Sequence, residues 1–359
     1  FKNNSTTKRL QFEDEWGNPN NYEHAAGLTL YRSENNLVES STFSENSGSQ
    51  GASAICVAGK GNTFRDLTFE KNKNTTVFRR CDGDQPQKTS IYSSSFVNNE
   101  SQALHIENAH DSVIADSSFL QGDTHALTIS YSGNTLLSNL VVSENKGRGI
   151  YVYDHDQNNA LGDGVTVRDS LISKNRQGGV YINGYGHQVL DSEISQNSGS
   201  DYNQSGMSIY YNNTNRILVS NVLFQGNTIS YHIGSAGLFI GSPWGENEAS
   251  ISTEITIEKS RFLENRKSSS DQRNAGALFI GRVKGVTISE SKFADNQGGG
   301  AGAIMFQNAP ENRIVASTFS ANKGDLAGAV YFRWRSRDNR VENSNLVGHG
   351  SLAVNADVD

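Results

Sequence analysis

Between residues 76 and 187 the chain is dense in side chains that can move protons or hold charge: Arg79, Arg80, His105, Glu107, Tyr151, Tyr153, Asp154, His155, Asp156, Tyr181, Tyr185 and His187. Chemistry at the carbon beside a uronic-acid carboxylate needs a cation to neutralise that carboxylate, a base, and an acid at the leaving oxygen. Arg80, His105 or His155, and Tyr153 are of the right types for those roles, with Asp154 alongside. They are far apart in sequence, so such chemistry requires a scaffold that returns the chain repeatedly to one face.

A short motif supplies that scaffold: a small or polar pair, an apolar residue, two further residues and Asn. It recurs as STFSEN, LTFEKN, SSFVNN, SSFLQG, LVVSEN, SLISKN, SEISQN, VLFQGN, SRFLEN, SKFADN, STFSAN and SNLVGH, at intervals of 22 to 38 residues. Between these windows lie strand-like runs in one phase, among them ALHIE (103–107), ALTIS (126–130), GIYVY (149–153), GVYIN (179–183), GLFIG (237–241), ALFIG (277–281), AIMFQ (303–307) and AVYFR (329–333). Alternation places Ile304 and Phe306 inward and Met305 outward. A unit this short cannot bury its own apolar face, so copies must stack. Stacked coils lie about 4.8 Å apart, which lets side chains of two or three coils meet on one substrate.

The Asn closing ten of the twelve windows, namely Asn46, Asn72, Asn99, Asn145, Asn175, Asn197, Asn227, Asn265, Asn296 and Asn322, reads as a structural ladder at one turn. The outward positions of the first strand form a second ladder: Thr29, Cys56, Phe78, His105, Thr128, Tyr151, Tyr181, Ser208, Phe239, Phe279, Met305 and Tyr331. Two expectations follow. Insertions at 198–205, 228–236 and 242–252 fold over this face, or it is an open sugar-binding groove using Tyr151, Tyr181, Tyr185, Phe239, Phe279 and Tyr331 as ring platforms.

Phe-x-x-Asn combined with AGAL (275–278), AGAI (301–304) and AGAV (327–330) resembles the repeats of right-handed parallel β-helix proteins. It is particularly similar to bacterial surface adhesins of the polymorphic-membrane-protein and autotransporter-passenger kind. The first half departs, with QGAS, SQAL and THAL in the corresponding places. The resemblance implies an all-β chain and a single right-handed parallel β-helix with loop insertions; the windows give about twelve coils, and residues 5–26, with Trp16, Pro19 and Asn-rich turns, read as a long surface connection. It implies an extracellular or cell-surface location and a structural or adhesive role in contact with polysaccharide, a host or cell surface, or another copy of the chain. YVYDHDQ (151–157) is also loosely similar to the Tyr-Gly-Phe-Asp-Pro-His signature of alginate C5-epimerases, which share this fold. Tyr151 and Asp154 match it, whereas Val152, His155 and Asp156 depart from it. The basic pair of β-helix alginate lyases has no counterpart, and Asp154-His155-Asp156 also fits a solvated turn. Three functional readings stand: adhesive solenoid, uronic-acid lyase or epimerase, and non-catalytic glycan-binding module.

The totals narrow the partners. With a net charge of −7 over 359 residues, nucleic acid is an unfavoured partner. No run is long enough for a membrane span. No complete metal motif is present and no cofactor is expected, although Asp82-Gly83-Asp84 and Asp154-His155-Asp156 offer oxygen ligands suited to Ca²⁺. Cys56 and Cys81 fit either a disulfide or two thiols. FKNN at the start reads as the second half of a repeat and SLAVN (351–355) as the first half of another, so the chain is expected to continue elsewhere or to dock end to end.

Overall fold

The computed structural model describes residues 5–6, 10–13, 19–22, 27–48, 52–78, 88–153, 164–201, 205–210, 215–241, 251–267, 271–349 and 351–357. They form no helix. Each coil makes three short strands, as in Ile150–Tyr153, Val165–Arg168 and Leu171–Ser173, before the chain rises to Val180–Asn183 in the next coil. Three parallel sheets result, of 13, 12 and 12 strands, so the chain is a right-handed parallel β-solenoid of about twelve coils.

Two turn positions in each coil explain the tight winding. The residue after the second strand has positive φ, as in Asp116 (φ 54), Asp169 (φ 50) and Asp191 (φ 47), and so does the residue after the third, as in Gln121 (φ 57), Lys174 (φ 57) and Gln196 (φ 56). A left-handed residue bends the chain sharply while leaving the flanking strands extended. The residue following most of these bends is polar and buried, with Leu67, Leu140 and Val222 as apolar exceptions after the second strand. After the third strand it is the ladder Asn. The backbone N–H of Asn145 donates to Asn175 Oδ1 at 3.2 Å and its Nδ2 donates to the same oxygen at 2.8 Å, while Nδ2 also donates to the Phe119 carbonyl of the preceding coil at 3.1 Å. Gly122 interrupts the column, its N–H donating to Asn145 Oδ1 at 2.9 Å. After the second strand the polar residue, where there is one, is a serine. Ser94 N–H donates to Ser117 Oγ at 3.1 Å, Ser170 N–H to Ser192 Oγ at 3.1 Å and Ser260 N–H to Ser291 Oγ at 3.2 Å. This serine column supplies acceptors to buried amides that no strand partner reaches.

Between the columns the interior is apolar. In-register pairing stacks Phe43, Phe69, Phe96 and Phe119 with ring centroids 5.2, 4.4 and 4.6 Å apart, and Phe224, Phe262, Phe293 and Phe319 at 4.6, 4.7 and 4.8 Å. Those separations are the spacing between parallel strands, so each ring lies flat on the next without distorting the ladder. All eight are buried, and each removes its apolar area from water only because its neighbours are present.

Within residues 5–26, Leu10–Glu13 pairs antiparallel with Pro19–Tyr22, and Ser5–Thr6 runs parallel to Ser47–Gly48. One register differs from the expected alignment: Val77, not Phe78, pairs with His105 and with Cys56, while Phe78 pairs with Ile106 and Val57.

Candidate functional site: a tyrosine-rich face on the first sheet

The outer face of the 13-stranded sheet is built from residues that alternate with the core pairs Leu104 and Ile106, Leu127 and Ile129, Ile150 and Val152, and Val180 and Ile182. Pairing aligns His105, Thr128, Tyr151, Tyr181 and Ser208 in one outward column, and Glu107, Ser130, Tyr153 and Asn183 in a second. The rings are contiguous. Tyr151 lies 4.8 Å from Tyr181 and 5.9 Å from Tyr153, Tyr153 meets Tyr131 edge-on at 6.5 Å, and Tyr181 stacks on Tyr210 at 6.2 Å. From the preceding turns, His125 approaches Tyr151 at 5.4 Å, and the Arg148 guanidinium sits 5.3 Å from the Tyr151 ring centre and 4.8 Å from that of Tyr181. This cation–π contact fixes a long side chain against the ring face. Tyr151, Tyr153 and Tyr210 are half-buried, whereas Tyr181 is 6% exposed and serves mainly as the ring on which Tyr151 and Arg148 rest.

Titration behaviour defines what this face can do. Burial raises the phenol of Tyr181, and that of Tyr151, above the usual tyrosine range. Both therefore act as neutral hydrogen-bonding phenols near pH 7 rather than as bases. His125 is pushed down to about 4 by burial and then by the Arg148 charge, so its imidazole is neutral. Its Nδ1 accepts the Arg148 backbone N–H at 3.0 Å, which places the ring proton on Nε2. His187 repeats the device. Burial pushes it down to about 4, and Nδ1 accepts the Val165 N–H at 2.9 Å. His110 accepts the Gly133 N–H in the same way at 2.9 Å. These histidines satisfy backbone amides between coils, so His187 belongs to the scaffold. His105 differs: it is half-buried on the face and its Nε2 is hydrogen-bonded to Ser130 Oγ at 2.8 Å.

Of the residues singled out from the sequence, Tyr151, Tyr153 and Tyr181 come together. His105 lies two coils from Tyr151, roughly 10 Å along the stack, linked through Ser130, whose register partner is Tyr153. Tyr185 is exposed beyond the strand end, its hydroxyl accepting from Arg216 Nη1 at 2.6 Å. Arg80, Asp154 and His155 lie outside the described residues, as do Cys81 and both Asp-x-Asp turns. Among the described residues, no group of three or more His, Cys, Asp or Glu is placed to hold a metal ion. Sequence reasoning missed Arg148 and His125. Both sit just before a first strand, where SQAL, THAL and GRGI depart from the AGA pattern, and that departure was the signal.

The second half of the same face is closed, which corrects the expectation of an open ring ladder there. Phe239, Phe279 and Met305 are fully buried and Tyr331 is 4% exposed. They form a separate apolar cluster with Ile233, Ala275, Ala301 and Ala327, flanked by Tyr231 and Leu326. The cover comes from the turn segments. Ser235 pairs with Ala275, and bridges join Ala275 to Ala301 and Ala301 to Ala327, giving a narrow ladder laid over the sheet. In each AGA triplet the first alanine packs outside, the last inside, and the glycine lets the chain cross the sheet edge. A Cβ on Gly302 would collide with the Gly328 carbonyl and the Lys323 amide. Phe239, Phe279 and Tyr331 therefore present no ring face to solvent.

A family model described as "Right handed beta helix region" matches residues 20–189. No curated protein matches the chain. Among solved structures, the surface adhesin PfbA of Streptococcus pneumoniae is similar at 10% identity, with 89% of this chain and 82% of that chain covered and a TM-score of 0.56. The receptor binding domain of the siphovirus 9NA tailspike is similar at 9% identity, covering 93% and 72%, with a TM-score of 0.50. The A-module of the Azotobacter vinelandii mannuronan C-5 epimerase AlgE6 shows 14% identity over 92% and 91%, with a TM-score of 0.37. The protein is thus a right-handed parallel β-helix. Likeness at these identities concerns the fold, and function must be argued from the face.

Proposed function

We propose that the chain is an extracellular or cell-surface β-helix with a structural, adhesive role, and that it contacts polysaccharide through its tyrosine-rich half. The observation that carries this reading is the contiguous run of Tyr131, Tyr153, Tyr151, Tyr181 and Tyr210 with Arg148 laid across two of the rings. Flat apolar rings match the faces of pyranose sugars, while neutral phenols and a guanidinium orient hydroxyl or carboxylate groups. The name of one solved β-helix, a surface adhesin, and of another, a tailspike receptor binding domain, agrees with such a role. Tyr151→Ala and Tyr153→Ala test it. Each is expected to weaken binding to the preferred polysaccharide on a glycan array at least ten-fold with little change in melting temperature, and unchanged binding would overturn the reading.

A second reading is a uronic-acid lyase or C5-epimerase acting on the same face. Its support is the His105–Ser130 hydrogen bond beside Tyr153, a histidine and a phenol within two coils. Turnover of uronate polymers, lost in both His105→Ala and Tyr153→Phe, would establish it. Binding without turnover in the unaltered protein would leave the adhesive reading alone.

A further inference from the structure

A second surface lies away from the tyrosine face, at the turn that follows strand Val330–Arg333. Its sequence, RWRSRDNR (333–340), sets four arginines against one aspartate in a chain whose net charge is −7. The turn is one residue longer than the one before it. Strand pairing sets Gln307 opposite Arg333, whereas the Ala309 N–H donates to Ser336 Oγ at 3.2 Å. Trp334 and Arg335 therefore stand where the preceding coil has Asn308 alone. A residue added between two fixed points is pushed outward.

The turn is held from within. Ser336 is buried and donates through Oγ to the Arg333 carbonyl at 2.7 Å. Asn339 Nδ2 donates to the Ala309 and Ser336 carbonyls at 2.9 and 2.8 Å, and its Oδ1 accepts the Asn312 N–H at 2.9 Å. Around these anchors Arg335, Arg337 and Arg340 are exposed. Trp334 is half-buried, and the Arg333 guanidinium carbon lies 3.9 Å from its ring centre, a cation–π contact that steadies the indole. The neighbouring carboxylates are largely committed. Glu342 accepts from Nε and Nη2 of Arg313 at 3.0 and 2.6 Å, Glu311 accepts from Lys284 Nζ at 3.2 Å, and Asp357 is in register with Arg333. Arg340 is in register with Arg313, cation beside cation, an arrangement that like-charge repulsion disfavours. Among the described residues no ion pair involves Arg335 or Arg340.

We propose that this turn is a docking surface for an acidic polysaccharide, one that carries sulfate or carboxylate groups on successive sugar units. Exposed guanidiniums on an already ordered backbone offer two-point hydrogen bonds to sulfate or carboxylate oxygens. The Trp334 indole beside them is a flat apolar surface of the kind on which sugar rings stack. Confinement of the charge to one turn favours this polymer over nucleic acid. DNA carries a charge at about every 1.7 Å of its axis and would run past the turn onto the carboxylates of a net acidic chain. The turn lies six strands from Tyr151 along the sheet, roughly 30 Å, so this surface does not rest on the tyrosine reading.

Biolayer interferometry of the whole chain on immobilised dextran sulfate and polygalacturonate tests the proposal, with uncharged dextran and a single-stranded oligonucleotide alongside. Binding to at least one acidic polymer is expected, weakening as salt rises. The double variant Arg335→Ala with Arg340→Ala is expected to bind at least ten-fold more weakly with no loss of melting temperature, since both side chains are exposed. The same loss is expected in a Tyr151→Ala background, so failure of the tyrosine reading leaves this test intact. Preference for dextran sulfate identifies sulfate as the group recognised, and preference for polygalacturonate identifies carboxylate; either supports the surface. Equal binding to dextran and the acidic polymers, tighter binding to the oligonucleotide than to both of them, or full binding by the double variant would overturn it.

Discussion

The two halves of the outer face occupy the same sheet in the same register, yet one is half-open and rich in phenols while the other is sealed. Tyr151 and Phe279 hold equivalent outward positions. What differs lies in the turn before the strand. Where it reads THA or GRG, a long side chain, His125 or Arg148, reaches onto the rings from the sheet edge. Where it reads AGA, the backbone itself crosses the edge and lays an alanine on the rings. The lesson is that in a solenoid the exposure of a position is set less by its own strand than by the path of the turn feeding it.

The largest effect should come from truncating the covered rings. Phe279→Ala removes a fully buried ring between Phe239 and Met305 and is expected to cost about 3–5 kcal/mol, whereas Tyr151→Ala, half-exposed, is expected to cost about 1 kcal/mol. Urea denaturation of the two variants checks this, and equal losses would mean that the two halves are not packed differently.

The halves should also respond to pH in different windows, although stability rises with pH in both. Lys267 is held down at about 8 by burial, below its value of 10.5 in the unfolded chain. The unfolded state therefore binds the extra proton, and the closed half gains stability as pH rises through 8 towards 10.5, by up to about 3 kcal/mol. Lys267→Met should remove that rise. In the open half His125 and His187 are held near 4 against 6.5, so their contribution is present above 6.5 and is lost as pH falls towards 4. Hydrogen exchange resolved along the chain at pH 4.5, 7 and 9.5 would show the open half loosening in acid and the closed half tightening in alkali. A uniform response would break the contrast.

The Asn column, by contrast, should be indifferent to the half it serves. Asn175→Ala strips the acceptor from the Asn145 amide and the donor from the Val142 carbonyl, and Asn296→Ala does the same to Asn265 and to the Phe262 carbonyl. Each is expected to cost about 1–3 kcal/mol, and a chemical denaturation series in which only one of them matters would argue against a common scaffold. The smallest effect is a gain: Gly122→Asn places an amide in the gap of the column, with Asn145 Oδ1 at 3.1 Å from the new Cβ, and should stabilise by about 0.5–1 kcal/mol in the same assay.

Much of this was legible beforehand. The phase of Leu104, Leu127, Ile150 and Val180 marked the inward face, and the Phe-x-x-Asn windows marked one turn. The serine column was equally visible, because most of those windows open on its serine, as SSF, SLI and SRF do; its bonding role was simply not read from them. The site was less legible. Tyr151, Tyr153 and Tyr181 could be aligned by counting, but the register that pairs Val77 with His105 and Cys56 could not, because the irregularity between Thr75 and Val77 leaves no mark in composition. The histidines misled for a different reason. A side chain in a cluster of ionisable residues looks reactive, yet whether its Nδ1 faces a substrate or the N–H of the coil above depends on a few ångströms of tertiary placement, as His187 shows.

What the sequence determined by itself is the repeating architecture: period, inward pattern and the columns of Asn and Phe follow from local alternation and from the need of each short unit to borrow a neighbour's surface. Only the tertiary structure decided which rings meet solvent and which histidines cap backbone amides. Those outcomes depend on how turns from different coils lie across one another, and the packing of one coil's turn over another coil's strand leaves no periodic trace in the chain.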